Sequence, residues 1–350
     1  MTRFRAAAAL SALVIALAAC TQGGASPSPS SPATTDSPPA SDAPTSEPTE
    51  IPIETVQAQL DFTISATAGP LLWGVEQGIF AKHGIEFDLL PGEGSDLALQ
   101  QIDAGNVDFA FIDGSNFIQA RVAGVTETTA IYALQNISTT AIASKEQLNE
   151  PEDMIGKSFG TVPQSSGRVK IPLVLELNDI DPDQVPIELM DFSVLYPTLF
   201  EGSIDTAEVG VPGSWESAFI AARNQDIPLF VKLISDWGYR DYSKVLIVGD
   251  RLIGENPDLV RRMVAAIHEA QADALENASE DEIWELVAEK DPTANEEAVK
   301  LTWSNVKQFI IDPGPMDDET FQFQLDVLER DGITTDLGPG DFYTNEYIPN

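Results

Sequence analysis

The sequence of 350 residues is poor in the residue types that carry most enzyme chemistry, with one cysteine, Cys20, and two histidines, His83 and His268. A single cysteine excludes a disulfide framework and a thiolate metal site. The two histidines stand far apart in the sequence, and no paired-carboxylate or metal-ligand motif accompanies them. The sequence therefore predicts no catalytic residue, no metal site and no cofactor, and we expect a protein that is not an enzyme.

Basic residues are also scarce, because 19 Lys and Arg stand against 56 Asp and Glu, for a formal net charge of −37. The first fifty residues contribute two arginines and four acids, so nearly all of this charge lies on the rest of the chain. Such a charge repels nucleic acids and anionic membrane surfaces. The sequence therefore predicts no nucleic-acid partner, and the scattered acids favour a role in solubility.

The N-terminus has the pattern of an export signal. Arg3 and Arg5 precede an apolar run, Ala6 to Ala19, that is too short to span a bilayer. The run ends in Leu17-Ala18-Ala19-Cys20, which resembles a bacterial lipobox, where the thiol takes a diacylglyceryl group. Residues 1–20 are thus predicted to be a lipoprotein signal peptide, with Cys20 as the lipidation site and an extracytoplasmic protein anchored to the cell membrane by its lipid. An ordinary signal with an incidental cysteine is the alternative.

Residues 21–58 are mostly Ser, Pro, Thr and Ala with a few acids. Such a segment cannot bury enough apolar surface to fold, so it predicts a disordered tether that lets a folded domain stand away from a membrane. Beyond it, alternating apolar residues predict the first strand from Leu60 to Ala66.

The stretch from Ala98 to Gly124 indicates an α/β architecture. Val107 to Ile112 is apolar except for Asp108, at alternate positions on both sides of the strand, which is typical of a strand buried on both faces of a parallel sheet. It ends in Asp113-Gly114-Ser115-Asn116, at the strand edge where α/β folds bind ligands. Leu199 to Ala207 repeats the spacing of Ile102 to Ala110, with Gly, a β-branched residue, Asp and Ala in register. The repeat predicts two similar lobes.

Several residues near predicted strand ends are candidates for ligand binding. Trp73 opens a predicted helix, where it can stack on a flat ligand or pack in the core. Ser165, Ser166 and Gly167 precede a helix, and such a loop can seat an anionic oxygen or merely cap the helix. Glu208 lies near a strand end, where its carboxylate can hold a cationic or N–H-rich ligand or point to solvent.

The sequence resembles the solute-binding proteins of ABC importers for taurine, aliphatic sulfonates, nitrate and thiamine precursors, the NMT1/THI5-like or SsuA-like family. The resemblance rests on six segments, which occur in the family's order and spacing: Gln77 to Ile85, Ala98 to Asp108, Ile155 to Gly160, Gly202 to Asp205, Asn256 to Arg262 and Pro315 to Glu319. It implies an α/β, two-lobed periplasmic-binding-protein type II fold, in which each lobe is a mostly parallel sheet flanked by helices and two crossover strands join the lobes. The implied lobes are residues 59–138 with 245–350, and residues 139–244.

The resemblance also implies a function and a site. The implied function is capture of a small organic solute by lobe closure, with a small-molecule ligand and ABC permease transmembrane subunits as partners of a monomeric receptor. Family ligand positions at strand ends correspond here to Trp73, Ser115, Asn116, Thr139, Thr140, Ser165, Ser166, Gly167, Glu208 and Trp215.

The identity of the ligand stays open at this point. Many relatives carry an acid before a proline after the second repeat strand, whereas this chain has Val211-Pro212-Gly213. Trp73, Trp215 and Glu208 favour a nitrogenous heterocycle of the pyrimidine or thiamine-precursor kind, and the loop Ser165 to Gly167 favours a sulfonate, taurine or nitrate. We slightly prefer the former. The alternatives for the whole chain are an enzyme of pyrimidine-precursor metabolism on the same fold and a lipoprotein that senses a solute without transporting it.

Overall fold

The structure is a computed structural model that describes residues 52–163, 165, 167–309, 313–330 and 332–349. Four predicted features lie outside the described residues: the signal peptide, the lipidation at Cys20, the tether up to residue 51 and the candidate site residue Ser166.

The described part of the chain folds into strands and helices that alternate through most of its length. The strands are β1 Glu54–Leu60, β2 Ile85–Leu90, β3 Phe109–Ile112, β4 Thr128–Gln135, β5 Thr140–Ser144, β6 Phe159–Thr161, β7 Ile187–Leu189, β8 Thr206–Gly210, β9 Phe230–Leu233 and β10 Lys244–Gly249. The helices are α1 Gly69–Glu76, α2 Ile79–Lys82, α3 Ser95–Asp103, α4 Gly114–Val122, α5 Gly167–Leu177, α6 Phe192–Glu201, α7 Ser214–Arg223, α8 Asp250–Glu255, α9 Pro257–Asn277, α10 Glu280–Lys290, α11 Glu296–Phe309 and α12 Asp318–Arg330.

The strands form two sheets of the same design. The first has the order β2-β1-β3-β10-β4 and the second the order β7-β6-β8-β5-β9. In the first sheet β10 is antiparallel to both of its neighbours, while β1, β2 and β3 are parallel. In the second sheet β5 is the reversed strand, and β6, β7 and β8 are parallel. In each sheet four strands therefore run in one direction and one strand is reversed, in agreement with the mostly parallel sheet that the resemblance implies for each lobe.

The predicted internal repeat has a structural counterpart. Strands β3 and β8 are the central strands of their sheets. The carboxylate of Asp108, just before β3, accepts the Gln57 N–H of the neighbouring strand at 2.9 Å, and Asp205, just before β8, accepts the Ser158 N–H at 2.9 Å. Each aspartate thus joins the start of its own strand to the backbone of the neighbouring strand segment.

The chain crosses between the sheets twice. It leaves the first sheet after β4 at Gln135 and enters the second with β5 at Thr140. It returns between the end of β9 at Leu233 and the start of β10 at Lys244. All strands of the second sheet therefore lie within residues 139–244, the segment predicted for the second lobe.

The prediction for the first strand is wrong, because β1 runs from Glu54 to Leu60 and the chain leaves the sheet at Asp61. Val56 and Ala58 are fully buried on one face of this strand, with polar residues alternating on the other. The last five residues of the predicted tether, 54–58, therefore belong to the sheet. The polar residues of this strand resemble the composition of the preceding tail. The alternation of polar and apolar residues was therefore not recognised from the sequence.

Helices cover both faces of the sheets. Helices α1, α9, α10 and α11 bury their apolar faces on one side of the first sheet, where Trp303 and Met263 have no exposed surface. On the other side α12 contributes Phe321 and Leu325 to the core of the first lobe, while its Phe323 packs against the core of the second. Within the described residues, no helix is both long enough and apolar enough to cross a bilayer.

Candidate binding cleft between the lobes

A cavity of about 410 Å³ lies between the lobes, which we call the large cavity. The first lobe lines it with residues that follow β1, with the end of β4, the start of β10 and residues of α11. The second lobe lines it with Pro212 to Ser214 and with Ser217 of α7. Its volume lies in the range of small-molecule sites. Because both lobes contribute to the wall, closing or opening the lobes changes this space directly.

The charges in the large cavity are paired. Asp61, just after β1, makes an ion pair with Lys244 at the start of β10, and the Ser95 hydroxyl also donates to the Asp61 carboxylate at 3.3 Å. The remaining polar lining consists of hydroxyls and amides, among them Thr63, Ser65, Gln135, Ser214 and Asn295. Apolar side chains such as Phe62 and Leu71 complete the wall. The described lining therefore offers hydrogen bonds without an unpaired charge.

The start of α7 is fixed by its own side chains. Gly213 has a φ of +143°, which favours glycine, and its N–H donates to the Glu216 carboxylate at 2.7 Å. Ser214 Oγ accepts the Gly210 N–H at 2.9 Å. Glu216 also accepts from Asn305 Nδ2 of α11 at 2.7 Å, so this buried carboxylate joins the two lobes beside the cavity. Burial raises the pKa of Glu216, although the hydrogen bonds from Asn305 and Gly213 act against that rise.

A second space of about 270 Å³, the small cavity, lies on the α12 side of the cleft. Three predicted site residues line it, namely Ser115, Asn116 and Ser165. Arg168 and Lys170 of α5 also line it. The structure thus brings the end of β3 and the start of α5 to one cavity, and binding of a ligand by these residues stays a prediction.

Lys170 forms a buried ionic link between the lobes. Its ammonium lies 2.6 Å from the Asp241 carboxylate, in the returning crossover, and 3.8 Å from that of Asp113 after β3. Burial alone would lower the pKa of Lys170, but Asp113 and Asp241 outweigh it and hold the pKa above its usual range. Burial also raises the pKa of Asp241, against the effect of Lys170. Asp113 itself caps α4 by accepting the Ser115 and Asn116 N–H groups.

The predicted anion seat at the start of α5 is filled by the chain itself. Glu208 accepts the Gly167 N–H at 2.9 Å and the Ser165 hydroxyl at 2.5 Å on one oxygen, and the Thr161 hydroxyl on the other. The Glu208 carboxylate is therefore neither free nor turned wholly to solvent, and its contact with a ligand stays a prediction. Gly167 and Ser165 are likewise committed to the Glu208 carboxylate.

The two tryptophans that were predicted to bind a ligand lie in the cores of the lobes. Trp73 is 6% exposed, and its indole N–H donates to Asp273 of α9 at 2.5 Å. Trp215 is 9% exposed and packs against Phe219, with the ring centroids 5.4 Å apart. Neither lines either cavity. Of the two interpretations of Trp73, core packing is the one the structure supports, because the helical turn that carries it faces α9.

The predicted residues Thr139 and Thr140 lie where the chain crosses between the lobes. The Thr139 N–H donates to Ser243 Oγ at 2.7 Å, and Thr140 begins β5, where it pairs with Gly210. Both threonines are thus engaged with the crossover and the second sheet, and neither lines either cavity.

None of the described candidate residues named from the sequence lines the large cavity, although Pro212 to Ser214 of its wall directly precede the candidate Trp215. A signal was present in the segment after β1, where Thr63, Ser65 and Thr67 precede Pro70 near the start of a helix. A second was Gly213-Ser214 at the start of α7. Hydroxyl residues between a strand and a helix are typical of ligand sites in α/β folds, but the wrong limits of the first strand hid the first of these signals.

Comparisons with known proteins agree with this architecture. The family model described as NMT1/THI5 like matches residues 66–281. A binding protein of Brucella abortus is 26% identical over 199 residues, which make up 56% of this chain and 60% of that protein. The chain therefore spans 60% of the length of the curated relatives that it matches.

Solved structures match over more of the chain. The periplasmic aliphatic sulphonate binding protein SsuA of Escherichia coli has a TM-score of 0.63 at 12% identity, over 80% of this chain and 88% of that one. The periplasmic nitrate-binding protein NrtA of Synechocystis has a TM-score of 0.59 at 14% identity, over 84% and 87%. These likenesses show that the fold is the two-lobed periplasmic-binding-protein fold.

Proposed function

Because the chain belongs to the NMT1/THI5-like family, we propose that it is the extracytoplasmic solute-binding component of an ABC importer. It captures a small organic solute between its lobes and passes it, chemically unchanged, to the transmembrane subunits of a permease. It acts as a monomer.

The observation that carries this proposal is the large cavity, whose wall comes from both lobes. A solute there contacts the segment after β1 in one lobe and the start of α7 in the other. It therefore binds the closed arrangement better than the open one, and that difference in affinity shifts the population toward closure. Relatives named for binding aliphatic sulphonate and nitrate share this fold.

The cavity favours a neutral nitrogenous solute of the pyrimidine or thiamine-precursor kind over a sulfonate, taurine or nitrate. The Lys244 ammonium on its wall is already paired with Asp61. A sulfonate there would compete with Asp61 for Lys244, and burying a charge without its own partner is costly. Hydroxyls and amides such as Ser65, Thr63 and Gln135 instead suit the ring nitrogens and amino groups of a heterocycle.

We further propose that the protein is held at the membrane by a lipid on Cys20, with the Ser/Pro/Thr-rich segment as a spacer. Replacement Cys20→Ser in the producing cell tests this. We expect the variant to leave the membrane fraction and to lose the mass of the acyl chains. A Cys20→Ser protein that fractionates like the natural one contradicts the anchor.

A thermal-shift screen of neutral pyrimidines, sulfonates and amino compounds tests the binding function. A ligand at a hundred times its dissociation constant stabilises a folded protein by about 2.7 kcal/mol. Any hit is then measured by calorimetry and recovered to establish that it is unchanged. Turnover of the compound by the purified protein would instead support an enzyme.

A matched pair of variants locates the site. Ser217 is an exposed residue of α7 on the wall of the large cavity. Ser217→Trp fills the space and should weaken binding at least tenfold, while Ser217→Ala should bind nearly as the natural protein does. Equal affinity in all three proteins would place the ligand elsewhere.

A further inference from the structure

The start of helix α5 presents three hydrogen-bond donors to one carboxylate. Thr161 at the end of β6, Ser165 in the following loop and the backbone N–H of Gly167 all donate to Glu208. Glu208 lies on the neighbouring strand β8, which is parallel to β6. The two strands therefore deliver the donors and the acceptor to the same edge of the sheet.

The fit between Glu208 and Gly167 is close. A Cβ built on Gly167 would lie 2.4 Å from Glu208 Cδ and 2.5 Å from its Oε2. No side chain fits there while the carboxylate is in place. The geometry is that of a bound anion held by two hydroxyls and a helix N-terminus, with the anion supplied by the protein.

This seat opens toward the binding cleft. Ser165, which donates to Glu208, also lines the small cavity, as does the exposed Arg168 one residue into α5. An anion that entered the small cavity would reach these groups if Glu208 did not hold them.

We propose that Glu208 is a specificity-determining residue, an internal anion that occupies this seat and excludes sulfonates, sulfate and carboxylates from it. The inference rests on the proposed function, because it treats the excluded anions as competing solutes of a solute-binding protein. It adds a second cause for the preference against anions, on the small-cavity side of the cleft. The donors that would recognise an acidic headgroup there are already satisfied, and a second negative charge beside Glu208 is repelled.

The test uses the full-length chain, inorganic sulfate as probe, and the pair Glu208→Ala and Glu208→Gln. The alanine empties the seat, whereas the glutamine fills it without charge. We expect sulfate to bind the Glu208→Ala protein at least about tenfold more tightly than the natural protein, the gain of one charge-assisted hydrogen bond. The Glu208→Gln protein should gain much less affinity than the Glu208→Ala protein, because the amide still fills the seat and only the charge repulsion is lost. Calorimetry and thermal shift, against sodium chloride of equal ionic strength, give both readouts.

Adding Ser165→Ala to Glu208→Ala places the ion. The double variant should lose most of the gained sulfate affinity, because one donor of the seat is gone. Retention of the full gain would overturn the assignment.

Other outcomes decide against the inference as well. Occupancy by Glu208 is not what excludes the ion if the natural and Glu208→Ala proteins bind sulfate equally well. The same follows if Glu208→Gln gains as much sulfate affinity as Glu208→Ala. A Glu208→Ala chain that stays unfolded in sulfate as in chloride also contradicts a seat that sulfate can fill. Because sulfate is the probe, failure of every solute in the thermal-shift screen would overturn the proposed function and leave this result standing.

Discussion

Thr139 and Ser243 join the two chain crossings: Ser243 Oγ accepts the Thr139 N–H at 2.7 Å and donates to Thr139 Oγ1 at 2.9 Å. Thr139 lies between β4 and β5, and Ser243 precedes β10. The pair thus ties one crossover to the other. Closure of the lobes requires backbone rotation in such connecting segments.

Ser243→Ala should loosen the connection between the lobes. It leaves the Thr139 N–H without its acceptor beside a buried position, at a cost of about 1–3 kcal/mol in the free energy of unfolding. Urea unfolding measures the loss, and distances between spin labels on the two lobes should spread more widely. Thr139→Ser keeps both hydrogen bonds and is the control. Unchanged unfolding and unchanged label distances in Ser243→Ala would contradict a structural role for the pair.

Lys170→Met should destabilise the protein strongly, since it leaves Asp241 buried without its cation. Breaking one partner of a buried ion pair costs about 3–5 kcal/mol. Adding Asp241→Asn should recover part of this loss, because the uncompensated charge is then gone. Urea unfolding of the single and double variants measures both effects, and a single variant as stable as the natural protein would show that the link contributes nothing.

The loss in Lys170→Met should also shrink as the pH falls. Burial raises the pKa of Asp241 above that of the unfolded chain, and removal of Lys170 raises it further. The folded state then binds a proton more readily than the unfolded state, so the penalty is full above the folded pKa and is relieved as the pH falls through it. Unfolding measured between pH 7 and pH 5 checks this, and a difference from the natural protein that is constant with pH would contradict it.

The variant Trp73→Phe tests whether Trp73 packs in the core or stacks on a ligand. The variant keeps an aromatic ring but loses the hydrogen bond to Asp273. We expect a loss of about 1–3 kcal/mol in stability, because the half-buried Asp273 carboxylate loses a hydrogen bond of the charged kind, and no change in ligand affinity. A fall in affinity at unchanged stability would instead place Trp73 at the ligand.

Local patterns in the sequence predicted an α/β architecture with two similar lobes, and the family resemblance added the two crossovers. The apolar run that became β3 and its repeat at β8 predict two central strands, and the structure places both in the middle of their sheets. The equivalent hydrogen bonds of Asp108 and Asp205 explain why the acid recurs, since each is needed by the neighbouring strand. The limit of the first strand was not predictable from composition, because polar residues alternate with Val56 and Ala58 on a half-buried strand.

The candidate site was less predictable, because its contacts join residues far apart in the sequence. Nothing near Glu208 in the sequence shows that its carboxylate reaches Gly167, 41 positions earlier. Likewise, nothing near Trp73 shows that it donates to Asp273, 200 positions later. A local pattern places a side chain at a strand end or on a helix, but the partner that takes its polar atom is decided by packing.

The close contact between Gly167 and the Glu208 carboxylate leads to a last prediction, which can be tested without a ligand. Gly167→Ala in the natural protein places a Cβ 2.4 Å from Glu208 Cδ, so the carboxylate must move and loses donors. Overpacking of this kind costs about 1–3 kcal/mol. In a Glu208→Ala background the same change meets no carboxylate, and alanine at the first residue of a helix is neutral or stabilises by up to about 1 kcal/mol. Urea unfolding of the four proteins gives the coupling free energy, which should reach about 1–3 kcal/mol. If Gly167→Ala costs the same in both backgrounds, the carboxylate does not occupy the space beside Gly167, and the seat at the start of α5 is open to an anion from outside.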